Sequence, residues 1–278
     1  MSAVRTPTVM TPVVARPTLK VTQSRVLRSE FTKFRSLRST MWTLLAAVAL
    51  MIGIGAIFSA VTASQYHTLS PIERAILNPV TISLSGVMFA VVAFGVLGVL
   101  VTSGEYSTGM IRSSLTAVPR RLPVLWGKLA VFAGVIFPVS LIASFISFFL
   151  GQVLLNSQHI GVSITAPGAL RSVIGAALYI TVAGIIGVAL GALFRNTAAG
   201  IATFTSVFFV IPPLASLLPL SVSSHLAPYL PSNAGAALWG GAQNVPNALA
   251  PWTGFALLCG YAVVLIAAAA WRLRRSDA

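Results

Sequence analysis

Met41–Ala63 reads MWTLLAAVALMIGIGAIFSAVTA, twenty-three consecutive residues without a single ionisable side chain. A helix rises 1.5 Å per residue, so about 20 such residues cross the hydrocarbon core of a bilayer. Five more runs of this kind follow, at Val80–Thr102, Leu129–Leu155, Ser172–Phe194, Ala198–Leu220 and Thr253–Trp271. They are continuous rather than alternating, which excludes a β-barrel, and a helix satisfies its own backbone hydrogen bonds in lipid. The expected fold is therefore all-α and polytopic, with a six-helix transmembrane domain over residues 41–271.

Composition agrees. Of the 278 residues 56% are hydrophobic and 8% charged, and the mean hydropathy is +0.91, beyond what a water-soluble domain carries. Sixteen of the eighteen Lys and Arg fall before the first run, between the second and third, between the fourth and fifth, or after the sixth; Arg74 and Arg171 are the other two. By the positive-inside rule both termini are expected in the cytoplasm of a multi-pass protein of the cell membrane. The net charge of +14 then reports topology and contact with anionic lipid rather than nucleic-acid binding. Cys259 is the sole cysteine, so no intramolecular disulfide forms. Residues 1–21 read as a disordered cytosolic tail and 272–278 as a cytosolic C-terminus.

Between Arg25 and Met41 the apolar residues Leu27, Phe31, Phe34, Leu37 and Met41 recur every three or four positions, with Arg28, Arg35 and Arg38 largely off that stripe. The pattern predicts an amphipathic interfacial helix over 22–40, serving as a lipid anchor or as one wall of a partner groove.

The spans as drawn hold no Asp, Glu, Lys, Arg or His, so nothing in them can act as an ion or proton relay. His67, His159 and His225 fall in separate outer loops, which points to no metal site and no catalytic residues. Gly127-Lys128 is followed by Leu129 and preceded by Leu122 where a P-loop requires glycine, so ATP hydrolysis, if it drives this chain, belongs to another subunit. Ser140, Ser144 and Ser147 share one face of the third span, a packing surface or a possible substrate path, and Gly187 and Gly191 form a small-xxx-small pair in the fourth. Pro212 and Pro213 predict a kinked or unwound outer half of the fifth span. Residues 221–252 combine Pro228, Pro231, Pro246 and Pro251 with an apolar stretch around Trp239. They read as short re-entrant helices with Trp239 and Trp252 at the interface.

The connection over 103–128 contains Gly104-Glu105-Tyr106-Ser107-Thr108-Gly109-Met110-Ile111-Arg112-Ser113-Ser114-Leu115-Thr116-Ala117-Val118-Pro119-Arg120-Arg121. Gly109 permits a reversal, Ile111 and Leu115 lie one helical turn apart, and Arg112 can meet a carboxylate, together a small protein-contact surface. A carboxylate at the end of a helix opposes the macrodipole, so Glu105 is expected to have a specific partner such as Arg112. Arg120, Arg121 and Lys128 read first as positive-inside anchors.

This connection resembles that of the ABC-2 type transporter permeases. So do Arg28 to Ser39, similar to the helix before that family's first span, and Leu230-Pro231-Ser232-Asn233-Ala234-Gly235, similar to its segment between spans five and six. The resemblance covers residues 22 to 275. It implies a permease subunit of an ATP-driven exporter, paired with a second permease subunit as a homo- or heterodimer and with cytosolic ABC ATPase subunits that carry ATP and Mg. It implies a coupling helix over Thr108 to Thr116 with Glu105 at its hinge, Gly109, Ile111, Arg112, Leu115, Pro119, Arg120 and Arg121 facing the ATPase, and efflux of a hydrophobic or amphipathic compound. A membrane scaffold or immunity factor of the same fold is the competing reading.

Overall fold

The computed structural model describes residues 22–36, 38–107 and 121–275. The tail over 1–21, Leu37, the coupling helix over 108–116 with Gly109, Ile111, Arg112 and Leu115, then Pro119 and Arg120, and the last three residues lie outside that description.

The described residues form helices and no strand. In chain order they are α1 (Gln23–Ser36), α2 (Arg38–Gln65), α3 (Pro71–Ile76), α4 (Pro79–Ser83), α5 (Val87–Ser107), α6 (Arg121–Leu155), α7 (Ala169–Phe194), α8 (Thr197–Thr205), α9 (Ile211–Ser216), α10 (Leu220–Leu226), α11 (Pro231–Trp239) and α12 (Pro251–Arg275). Six stretches are long and apolar enough to cross a membrane: Arg38–Thr68, Val87–Tyr106, Leu122–Gln158, Ala169–Phe194, Thr197–Ser216 and Pro251–Arg275.

α7 is the axis of the bundle. Of its most apolar stretch 78% is buried, against 22% for the first, fifth and sixth spans, so these three turn most of their side chains outward. The axis is built on small residues. A Cβ on Gly187 would collide with the carbonyl of Gly95, one on Gly191 would sit 2.6 Å from the carbonyl of Val99, and one on Gly98 would collide with the carbonyl of Gly184. The backbones of α5 and α7 therefore touch, which is how helices associate in lipid, where burying apolar side chains gives no advantage over leaving them in acyl chains. Around this seam Phe94, Phe132 and Phe204 are fully buried.

Three elements differ from expectation. The second span is broken. Asn78 caps α4 by accepting from the amides of Val80 and Thr81, the chain turns through Leu84–Gly86, and only α5 continues. The freed carbonyls are satisfied from α6: Ser147 Oγ donates to the Ser83 carbonyl at 2.7 Å, and Gln152 Nε2 to the Pro79 carbonyl at 3.0 Å and Ser83 Oγ at 2.7 Å. Gln152 Oε1 accepts from the Val162 amide at 2.7 Å. Irregular backbone at such depth survives only with internal partners, and these polar residues supply them.

The third helix begins at Arg121 rather than Leu129, so Lys128 is a helical residue and not part of a loop. In the fifth span the prolines do not unwind the helix. Neither Pro212 nor Pro213 can donate a backbone hydrogen bond, and the turn before them, Ser206–Val210, widens into a π segment closed by the Ile211 amide on the Ser206 carbonyl. The span ends at Ser216 instead of Leu220.

Between the fifth and sixth spans the chain forms two short helices, α10 and α11. Trp239, however, is 7% exposed and belongs to the core. α11 is wedged between α7 and α12, where Cβ atoms on Gly175 and Gly254 would press into Leu238 and Ala234 respectively. Trp252 does point outward.

Candidate functional site: a ring of alternating charge

Four ionisable side chains from three helices meet where α5 ends and α6 begins. α1 contributes Glu30 and Lys33, one turn apart. On α6, Lys128 Nζ lies 2.6 Å from Glu105 Oε1 of α5 and 2.8 Å from Glu30 Oε2. Lys33 Nζ lies 2.7 Å from Glu30 Oε1 and 3.2 Å from Glu105 Oε1. The order Lys128, Glu30, Lys33, Glu105 closes a ring in which every neighbour has opposite sign. The chain has only four acidic residues, and two of them are spent here.

Burial makes the ring consequential. Lys128 is 4%, Glu30 6% and Glu105 8% exposed; an isolated charge there would be expelled or neutralised. Pairing prevents this. Burial alone would raise the pKa of Glu30, but Lys128 and then Lys33 outweigh it and hold the carboxyl below its ordinary value. Burial likewise works against the charged form of Lys33, and Glu30 and Glu105 reverse it, raising the ammonium above its ordinary value. Both members stay ionised.

The ring is placed by the way α1 packs. Val26, Glu30 and Phe34 are its buried residues, spaced four apart on one face. Phe34 meets Phe132 of α6 edge-on with centroids 6.4 Å apart. Phe31 is 49% exposed, Leu27 half-buried, and Arg28, Arg35 and Arg38 exposed. The inward face is thus rotated from the Leu27–Phe31 stripe toward a row with a carboxylate at its centre.

Among the residues singled out earlier, Glu105 finds its partners in Lys128 and Lys33. Lys128 is not a head-group anchor but the buried centre of the ring. Arg121 opens α6. Ser140, Ser144 and Ser147 are all fully buried. Ser140 Oγ donates to the Ile136 carbonyl at 2.7 Å and reaches the Ala177 carbonyl of α7 at 3.4 Å, and Ser147 holds the broken second span. Ser144 Oγ is buried without a partner.

More of the basic residues are built into the same end. Arg195 terminates α7 in the left-handed conformation and lies 5.3 Å above the Tyr106 ring. Arg272 of α12 donates to the Leu193 carbonyl, a cation on the negative end of the α7 dipole.

Beside the ring is a cavity of about 370 Å³ between α1, α2, α5 and α6, in which Phe34, Leu97, Leu100, Val101 and Val131 form the apolar wall. Among the described residues no three His, Cys, Asp or Glu side chains gather as a metal site requires.

Comparison with protein-family models and with curated proteins gives no match. The functional reading accordingly rests on the residues and their arrangement.

Proposed function

We propose that this chain is the permease subunit of an ABC-2 type exporter, driven by ATP hydrolysis on a separate cytosolic subunit. The observation that carries the reading is the position of the charged ring. The segment over 108–120, which bears the resemblance to the family's coupling connection, has Glu105 just before it and Lys128 about two turns into the helix that follows it. These two residues are bonded to each other and to α1. A displacement of that segment by a partner would pass into α1, α5 and α6 together, because ion pairs join each of them to the other two, and pulling α5 or α6 away leaves a buried charge without its counter-ion. Coupling of this kind needs a stiff joint at the root of the loop.

The same end of the molecule supports the orientation. Arg195, Arg272 and the exposed arginines of α1 accompany the ring, and the positive-inside rule favours the cytoplasm for such an end and for both termini. α1 then lies in the cytosolic interface, with Phe31 toward acyl chains and Arg28 and Arg35 toward phosphates. α10 and α11 form the re-entrant outer cap, and a second permease subunit completes the pathway.

Copurification tests the reading. Coexpressed with a candidate ABC ATPase subunit from the same genome, the chain is expected to hold that subunit through detergent extraction. Absence of a complex, or a complex indifferent to charge at Ile111 and Leu115, would overturn it.

A further inference from the structure

The cavity beside the ring has a lining of two unlike kinds. One is the apolar group of Phe34, Leu97, Leu100, Val101 and Val131; the other is the four charged side chains with Ser39, Thr40 and Thr43 of the α2 end. The charges cancel within the ring, so a ligand with net charge would enter a poorly solvated site without a counter-ion. An uncharged polar head meets no such penalty. The ring also retains one unpaired hydrogen-bond acceptor. Both lysines bond Glu105 through Oε1, whereas Glu105 Oε2 is buried with no hydrogen-bond partner. An unsatisfied carboxylate oxygen wants a donor. Leu100, on the apolar wall, is 39% exposed, so this lining residue is not sealed inside the bundle. Its volume falls within the roughly 300–1,000 Å³ typical of small-molecule sites.

We propose that this cavity binds an uncharged amphiphile, with a hydroxyl- or amide-bearing head donating to Glu105 and an apolar tail along Leu97, Leu100, Val101 and Val131. The site would admit cargo from the cytosolic half of the membrane. As an entry point it rests on the exporter reading; as a binding site it does not, and it is tested without any ATPase. Because the head contacts Glu105, an occupant would also bear on the joint that anchors α1 and the 108–120 segment.

The probe is an alkyl glucoside carrying a diazirine in its chain, added to the full chain in phosphatidylcholine nanodiscs, irradiated, and mapped by peptide mass spectrometry. Labelling is expected to concentrate on residues 97–104 and 128–134, to be competed by unlabelled glucoside, and to be lost when Val101→Trp or Val131→Trp fills the cavity. These variants are read where the parent's melting temperature is kept, with Leu100→Trp at the exposed rim as a third. The same alkyl chain with a sulfate head is expected not to label these residues. Labelling spread evenly over the outward faces of α2 and α12, indifference to the filling variants, or equal labelling by the sulfate would overturn the proposal. Any of those results leaves the ATPase experiment untouched.

Discussion

Lys128 Nζ stands 2.6 Å from Glu105 Oε1 and thereby ties the first turns of α6 to the last turn of α5, at the two roots of the 108–120 segment. Neither residue would be stable at this depth alone, and Glu30 and Lys33 complete the compensation.

Removing Lys128 should therefore cost far more than removing an exposed lysine. Lys128→Met leaves Glu30 and Glu105 facing each other with only Lys33 between them, an expected loss of about 3–5 kcal/mol for a broken buried pair. The double variant Lys128→Met, Glu105→Gln keeps the Glu30–Lys33 pair and should recover a large part of that loss. Thermal unfolding of the purified proteins in detergent measures both, and equal melting temperatures for the two variants would contradict the ring.

The docking of α1 should depend on pH only at the extremes. The folded pKa of Glu30 lies below 4.5, so its contribution is fully present above that value and is lost as pH falls through the folded pKa. The folded pKa of Lys33 lies above 10.5, so its contribution is present below that value and is lost as pH rises through the folded pKa. A fluorophore on Arg28→Cys, with Cys259→Ala to remove the native thiol, should report a docked α1 through the neutral range and release on the acid side. Glu30→Gln should shrink the acid limb, leaving only the part carried by the Lys33–Glu105 pair.

How much of this could be read beforehand depends on the kind of signal. The six spans were legible because each is a long apolar run, and lipid tolerates little else. The packing role of Gly187 and Gly191 was legible for a similar reason, since small residues a turn apart have few other uses in a membrane helix. The break at Leu84–Gly86 was not, because the partners of Ser83 beside it, Ser147 and Gln152, stand 64 and 69 residues away in the chain. The ring was hidden the same way: Lys128 reads locally as a head-group anchor, and Glu30 reads as the polar side of a helix. A signal was nonetheless present, since Glu30 falls four residues from both Val26 and Phe34 on one face of α1. Trp239 was assigned to the interface by composition alone, which cannot distinguish a lipid-facing indole from one packed under a short helix.

The α5–α7 seam should be intolerant of side chains. Gly187→Val drives a branched side chain into the Gly95 carbonyl, and overpacking of this kind costs about 1–3 kcal/mol or more. Gly134→Ala in α6 meets nothing within 4 Å and should be neutral or stabilising by up to about 1 kcal/mol through helix propensity. Melting temperatures of the two variants should move in opposite directions or differ by several degrees.

Gln152→Leu removes the acceptor of the Val162 amide and the donor from α6 to the broken second span, where Ser83 Oγ and the Pro79 carbonyl keep only their bond to each other. An unpaired buried polar group costs about 1–3 kcal/mol, and the loss should appear as faster amide exchange confined to residues 79–86 and 160–163 rather than across the bundle.

The central claim is that work enters this chain through the 108–120 segment and its charged joint. The most direct measurement is the ATPase rate of the chain reconstituted in nanodiscs with the candidate ABC ATPase subunit, compared with Ile111→Asp and Leu115→Asp. Stimulation of hydrolysis by the parent chain, lost in both variants while melting temperature and membrane insertion are unchanged, is the predicted result. An ATPase rate that is the same with the parent chain, with either variant and with empty nanodiscs would contradict the account.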